Sequence, residues 1–318
     1  MREVGGYIEL DSYHLPMLHD GAIALNCGRN ALAYLLKARK IGKLWIPKFI
    51  CDSIPAVCER EGVPYSFYSI GSDLLPAQEV PLAPDDWFYF VNYYSQFDNL
   101  TIKRIIGRYR RVIVDQAQSY FQPPIPGVDT IYTCRKYFGV SDGAFLYTDA
   151  LLDEELPQDE SFDRMRFLLG RFERSASEFY SEYAANNEIF KTEPIKRMSK
   201  LTRNLLHGLQ YSQIEKTRRE NYTLLHEKLG RMNQLRLSNE PGSFMYPLLL
   251  ENGAELRRRL QARKLYIPTL WPDVFEICHP EETEYRLALN ILPLPIDQRY
   301  GPTEMTMIAE ELRKCLTI

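Results

Sequence analysis

The chain lacks several features that would settle its class at once. No apolar run approaches the ~20 residues needed to cross a bilayer, and the longest are of strand length. Met1-Arg2-Glu3-Val4-Gly5-Gly6 leads into mixed polar sequence without the apolar stretch of a secretory signal, so a cytosolic protein is expected. Neither charge is in excess: 39 Lys and Arg stand against 42 Asp and Glu, a formal charge of −3. A surface so balanced offers no basic face for nucleic acid, where phosphate contacts supply most of the affinity. Cysteine is sparse, with no C-x-x-C pair and no Cys/His cluster at zinc spacing. Cys27, Cys51, Cys58, Cys134, Cys278 and Cys315 read as reduced thiols in or near the core. The five histidines are scattered, and no residue is assigned to a metal.

What is present is an ordinary globular composition. The 318 residues are 45% hydrophobic and 25% charged, enough for a sizeable core and for two domains. From about residue 25 to 150 helical and strand-like patterns alternate. Ala31, Leu32, Leu35 and Leu36 recur at helical spacing after Gly28. Short apolar runs at Leu44–Pro47, Tyr65–Ile70, Trp87–Val91 and Val112–Val114 read as strands, with helices at Asp52–Glu61 and Thr101–Arg110 between them. Such alternation implies a largely parallel sheet covered on both faces, with sites at the carboxyl ends of its strands. Glu160–Lys191 and Tyr211–Leu235 then read as long charged helical segments. A strand within Phe244–Leu250, a helix Ala254–Lys264, a strand near Leu287–Leu292 and a closing helix Pro302–Leu316 make a smaller α/β unit. The boundary is placed at residue 210, giving units 1–210 and 211–318.

Three stretches fall where strands should end: Asn26-Cys27-Gly28-Arg29-Asn30, Asp115-Gln116-Ala117-Gln118, and Thr133-Cys134-Arg135-Lys136 with Asp142-Gly143 beyond. Each alone has an ordinary explanation, as a helix start, a turn acid or a solvated lysine. Their order carries more. A buried cofactor with a phosphate and a ring nitrogen needs an anion cradle at a helix N-terminus, an acid for the nitrogen and an amine for covalent capture. Gly28 lets the backbone approach closely, and the amides of Arg29, Asn30 and Ala31 are expected to be free. Asp115 ends a strand, Lys136 follows after room for one more strand, and Thr133 can add a hydroxyl.

These stretches resemble the pyridoxal-phosphate-dependent sugar aminotransferases of the DegT/StrS type, within the aspartate aminotransferase fold. The likeness lies in Cys27-Gly28, in Asp115-Gln116-Ala117-Gln118, and in Lys136 followed by Asp142-Gly143-Ala144-Phe145-Leu146. It extends to Arg218-Arg219-Glu220-Asn221-Tyr222 and Leu292-Pro293-Leu294-Pro295. Two positions depart from the pattern: Arg29 stands where many members have Thr, and Cys51 where the family has an aromatic that stacks on the cofactor, with Phe49 two residues earlier and Tyr93 or Tyr94 as substitutes for that aromatic.

The resemblance implies an α/β fold-type-I transferase, with a mostly parallel seven-stranded sheet in the large domain and a smaller C-terminal α/β domain. It implies pyridoxal 5'-phosphate as cofactor. Lys136 would form the internal aldimine, Asp115 would salt-bridge the pyridinium nitrogen, and Gln118 would lie against the ring or its phenolic oxygen. Gly28, Arg29, Asn30 and Thr133 would hold the phosphate. The implied reaction is ping-pong transamination between an amino donor, glutamate, and a keto-sugar nucleotide, by a homodimer with its active site at the subunit boundary. The alternatives are a noncatalytic or regulatory protein of the same fold, and another pyridoxal-phosphate reaction on a non-sugar substrate.

Overall fold

The computed structural model describes residues 4–238 and 242–316, so Met1–Glu3 of the N-terminal reading lie outside it. The first half alternates strands and helices: β1 (Ile23–Leu25), α1 (Gly28–Ala38), β2 (Lys43–Pro47), α2 (Ser53–Arg60), β3 (Tyr65–Tyr68), β4 (Asp86–Val91), α3 (Asn99–Tyr109), β5 (Val112–Asp115), β6 (Asp129–Thr133) and β7 (Ala144–Tyr147). These seven strands form one sheet in the order β1-β7-β6-β5-β4-β2-β3. The run β3, β2, β4, β5 and β6 is parallel, whereas β7 is antiparallel to both β6 and β1. This is the mostly parallel seven-stranded sheet that the resemblance implied.

The direction of β7 positions the site. Because it alone is reversed, β1 on its far side points the same way as β5 and β6, and their carboxyl ends share one edge. Leu25 and Thr133 both pair with Ala144 from opposite sides, so the start of α1 lies beside the end of β6. The sheet is buried as continuous apolar strands: Phe88, Phe90, Ile113, Val114 and Ile131 are all inaccessible or nearly so. The predicted apolar face of α1 packs there through Ala31, Leu32, Leu35 and Leu36. Each of the three leucines contributes roughly 1.5–3 kcal/mol by leaving water.

The second half departs from the sequence reading in two places. The helical period over 160–191 does not form one helix but two short ones, α4 (Arg166–Glu173) and α5 (Tyr180–Thr192), separated by a turn. Gly170 lets the Phe179 ring fold back against α4, and Ser175 donates to Glu178 at 2.7 Å to open the next turn. After α6 (Lys200–Leu206) and α7 (Tyr211–Leu229) comes a two-stranded antiparallel sheet of β8 (Met245–Leu249) and β9 (Ile291–Pro295). Between those strands lie α8 (Gly253–Ala262), α9 (Val274–Ile277) and α10 (Thr283–Asn290), and α11 (Pro302–Leu316) closes the chain. Leu287 and Ala288 therefore belong to α10, and the strand expected near 287–292 begins at Ile291. Helical spacing of the buried Glu284, Leu287 and Ala288, the last two packed in the first core, overrides the apolar run. A second core joins α7, α8, α11 and both short strands, whereas Trp271, Val274 and Leu287 pack against the first. Among the described residues no helix is long and apolar enough to cross a membrane.

Candidate functional site

At the shared sheet edge, Cys27 is extended and caps α1, whose first turn carries no acidic residue. The Ala31 amide donates to the Cys27 carbonyl at 3.0 Å, so it is not free as the sequence suggested. Gly28 and Arg29 contribute amides without a helical acceptor, and that of Asn30 faces the Cys27 thiol. A Cβ on Gly28 would meet Thr133 Cβ at 3.9 Å, filling the space between the helix start and β6. The Arg29 Nε is buried with no partner among the described residues. Arg135 brings a second guanidinium close to Arg29 and the Cys27 thiol; burial pushes its pKa down, and it bonds Asn187 while lying 4.8 Å from the Phe190 ring centroid.

The Asn30 side chain does not face this cradle. Its Nδ2 donates to Asn26 Oδ1 at 3.0 Å and to the Pro194 carbonyl at 2.7 Å, while its Oδ1 accepts from Arg60 at 2.9 Å. It braces α1 against the 193–194 segment, leaving only its backbone near the helix end.

Asp115 ends β5. Its Oδ2 accepts the Tyr89 hydroxyl at 2.9 Å and its Oδ1 accepts the Ala117 amide at 2.8 Å. Burial pushes the carboxyl above its usual range, and the Lys136 ammonium, the Ala117 amide and the Tyr89 hydroxyl pull it back. Lys136 is exposed on the turn after β6, its Nζ 5.6 Å from the Phe244 ring centroid. That turn is drawn tight by the Tyr137 and Phe138 amides, each donating to the Cys134 carbonyl at 2.9 Å. Gly143 secures its far end: its φ is +114°, its amide donates to Asn26 O at 2.6 Å, and a Cβ would crowd Thr202 and Cys134 at 3.1 and 3.2 Å. The adjacent Asp142 is buried and caps α6 through Ser199 and Thr202.

Gln118 is buried and its Oε1 accepts the Tyr94 amide at 2.6 Å, holding that residue at φ +52°. Phe49 and Tyr93, two of the aromatics offered in place of the one missing at Cys51, are engaged with one another and with Trp271. The Tyr93 hydroxyl donates to the Phe49 carbonyl at 2.6 Å. Cys51 lies by Ser53, their Sγ and Oγ 2.7 Å apart. Arg299 is paired with Asp297 through two side-chain hydrogen bonds, at 2.6 and 2.9 Å, and its amide donates to the same carboxylate at 3.2 Å. Ligand atoms of Cys278, Glu282 and Glu284 lie within 4.8 Å of one another, but Glu282 pairs with Lys48 and Glu284 accepts the Ile70 amide at 2.7 Å.

The structure thus brings Gly28, Arg29, Thr133, Asp115 and Lys136 to one edge, with Gln118 behind them. The sequence reading missed Tyr89, whose signal was one hydroxyl inside an otherwise apolar strand. The donor set fits pyridoxal phosphate: an open helix start, an unpartnered buried guanidinium nitrogen and a hydroxyl at one end, and a carboxylate facing an amine at the other.

No family model and no curated protein matches the chain. Solved structures do match. DesV from S. venezuelae, solved in complex with a ketimine intermediate, superposes with a TM-score of 0.65 at 16% identity, over 92% of this chain and 84% of that one. DesI, solved in the presence of its TDP-sugar product, gives 0.65 at 14% over 92% and 80%. NtdA from Bacillus subtilis, with bound cofactor PMP, gives 0.65 at 14% over 93% and 73%. The chain has the fold of these proteins across nearly its whole length.

Proposed function

We propose that this chain is a pyridoxal-phosphate-dependent aminotransferase that acts on a keto-sugar nucleotide, with glutamate as amino donor, in ping-pong order. The observation that carries the reading is the buried Asp115 carboxyl, ending β5 within electrostatic reach of the Lys136 ammonium at the carboxyl edge of a mostly parallel seven-stranded sheet, beside the open start of α1. Support for the cofactor comes from NtdA with its PMP, and for the sugar class from DesI with its TDP-sugar product.

The cofactor, when bound, supplies an electron sink for the carbon that gains or loses the amino group. The amides of Gly28 and Arg29, the Arg29 guanidinium and the Thr133 hydroxyl would bind its phosphate, with Asn30 bracing the helix start that presents them. Asp115, steadied by Tyr89 and Ala117, holds the proton on its ring nitrogen. Gln118, with Oε1 occupied by Tyr94, offers its Nε2 to the ring side. Lys136 would hold the cofactor through its Nζ, and the same Nζ would move the proton at the substrate carbon.

We read residues 1–210 as the cofactor unit and 211–318 as the smaller one, in a cytosolic homodimer. Support for the dimer lies in exposed apolar side chains grouped on the α4–α5 region, among them Leu169, Phe172, Tyr180 and Tyr183.

The test is an absorption spectrum with pyridoxal phosphate. A visible band that Lys136→Ala removes, and that glutamate bleaches, supports the reading. No band in the wild type overturns it, and a band that glutamate and other amino donors leave untouched favours a noncatalytic protein.

A further inference from the structure

The motif beginning at Arg218 has no part in the function proposed above, yet Arg218, on α7, is only 1% exposed. Its Nε donates to Gln298 Oε1 at 3.0 Å, and its Nη1 donates to the carbonyls of Ser243 at 3.2 Å and Phe244 at 3.3 Å. No carboxylate bonds it among the described residues; Asp297, whose charge reaches it, is held by Arg299. A buried guanidinium without a bonded carboxylate is tolerated only where its directed donors and flat face are used.

Here both lead to Lys136. The guanidinium lies over the Tyr137 ring, 4.4 Å from its centroid. Gln298, which accepts from Arg218, donates its Nε2 to the Tyr137 carbonyl at 2.7 Å. Phe244, whose carbonyl also accepts from Arg218, places its ring 5.6 Å from the Lys136 ammonium and 5.9 Å from the Tyr137 ring. The neighbour of Lys136 in sequence and its neighbour in space are therefore tied to one side chain. Lys136 itself makes no hydrogen bond among the described residues, so its turn sets its place.

We propose that Arg218, acting through Gln298, is a positioning residue for Lys136, fixing the turn that carries the amine. The proposal rests on the reading of Lys136 as the cofactor lysine. Its test uses pyridoxal phosphate as probe, borohydride trapping at timed intervals, and peptide mass mapping, together with the pH midpoint of the visible band. Gln298→Leu changes no charge and removes the bond to the Tyr137 carbonyl. It is expected to keep the wild-type fold by circular dichroism while labelling Lys136 about tenfold more slowly, since small misplacement of a reacting group has effects of this order or larger. The band's pH midpoint should move with it. Arg218→Lys keeps the charge but not the flat face, and should fail to restore either readout. A folded Gln298→Leu that labels at the wild-type rate with an unchanged midpoint overturns the positioning role, as does full function in Arg218→Lys. Wild-type protein labelled at lysines other than Lys136 would instead overturn the cofactor reading, and the proposal with it.

Discussion

The Tyr89 hydroxyl donates to the Asp115 carboxylate at 2.9 Å, from the strand next to the one that Asp115 ends. A buried acid that must stay ionised opposite a ring nitrogen needs such donors, because desolvation alone favours its neutral form. Tyr89→Phe removes one. Hydrogen bonds to charged groups are worth about 1.5–3 kcal/mol, so pyridoxal phosphate should bind at least about tenfold more weakly. The acid limb of cofactor retention should also move to higher pH, because the lost bond was lowering the Asp115 pKa. Titrations of the visible band across pH check this; unchanged affinity with an unchanged acid limb would exclude the role.

Asp115→Asn should have opposite effects on the free and loaded protein. Burial raises the Asp115 pKa in the folded state, so the carboxyl's favourable contribution is complete below its ordinary range and is lost as pH rises through the folded value. At neutral pH the cofactor-free Asn variant is therefore expected to melt a few degrees above wild type, with the gap closing on acidification. Pyridoxal phosphate should stabilise wild type far more than the variant. Thermal melts with and without cofactor decide it, and a cofactor-free variant that melts lower at neutral pH contradicts the assignment.

Two glycines on this edge should behave differently. Gly28→Ala places its Cβ at ordinary contact distance from Thr133, so the cofactor-free protein should be as stable as wild type, while phosphate binding suffers. Gly143→Ala meets both a left-handed backbone and crowding at 3.1–3.2 Å, and should destabilise the fold by roughly 1–3 kcal/mol. Denaturant melts and cofactor titrations of both variants separate the effects. Equal destabilisation by the two would refute the distinction.

His19 reports on acid stability away from the site. It is 2% exposed, bonded to Tyr147 at 3.1 Å and to the Tyr120 carbonyl at 2.9 Å, and burial lowers its pKa to about 4. A base with a depressed folded pKa contributes stability that is complete above its unfolded value and declines as pH falls toward the folded one. Between pH 6.5 and about 4 wild type should therefore lose up to about 3 kcal/mol through this group. His19→Gln starts less stable but should lack this slope. Parallel pH profiles for the two proteins would show that His19 does not carry it.

Much of the candidate site was legible because its signals are local. An apolar run ending in Asp115, a Gly opening a helix, and a Lys in a turn closed by Asp142-Gly143 are short-range patterns tied to strand and helix ends. The Asn30 side chain could not be read, since its partners at 193–194 lie far along the chain. Nor could the split of 160–191, where the packing of Phe179 against Gly170 competes with an unbroken helical period. Tyr89 was hidden for a further reason: strand pairing, rather than sequence separation, sets it beside Asp115.

By itself the sequence determined where several of the strands and helices around the site begin and end, because hydrophobic period, glycine and turn chemistry act within a few residues. It thereby placed an acid, an amine and a helix start at strand ends. Only the tertiary structure decided that those ends share one edge. That outcome depends on β7 running against its neighbours, so that β1, far from β5 and β6 along the chain, still points the same way. It also joined Arg218 to the turn of Lys136, a contact made by the packing of α7 that no local pattern specifies.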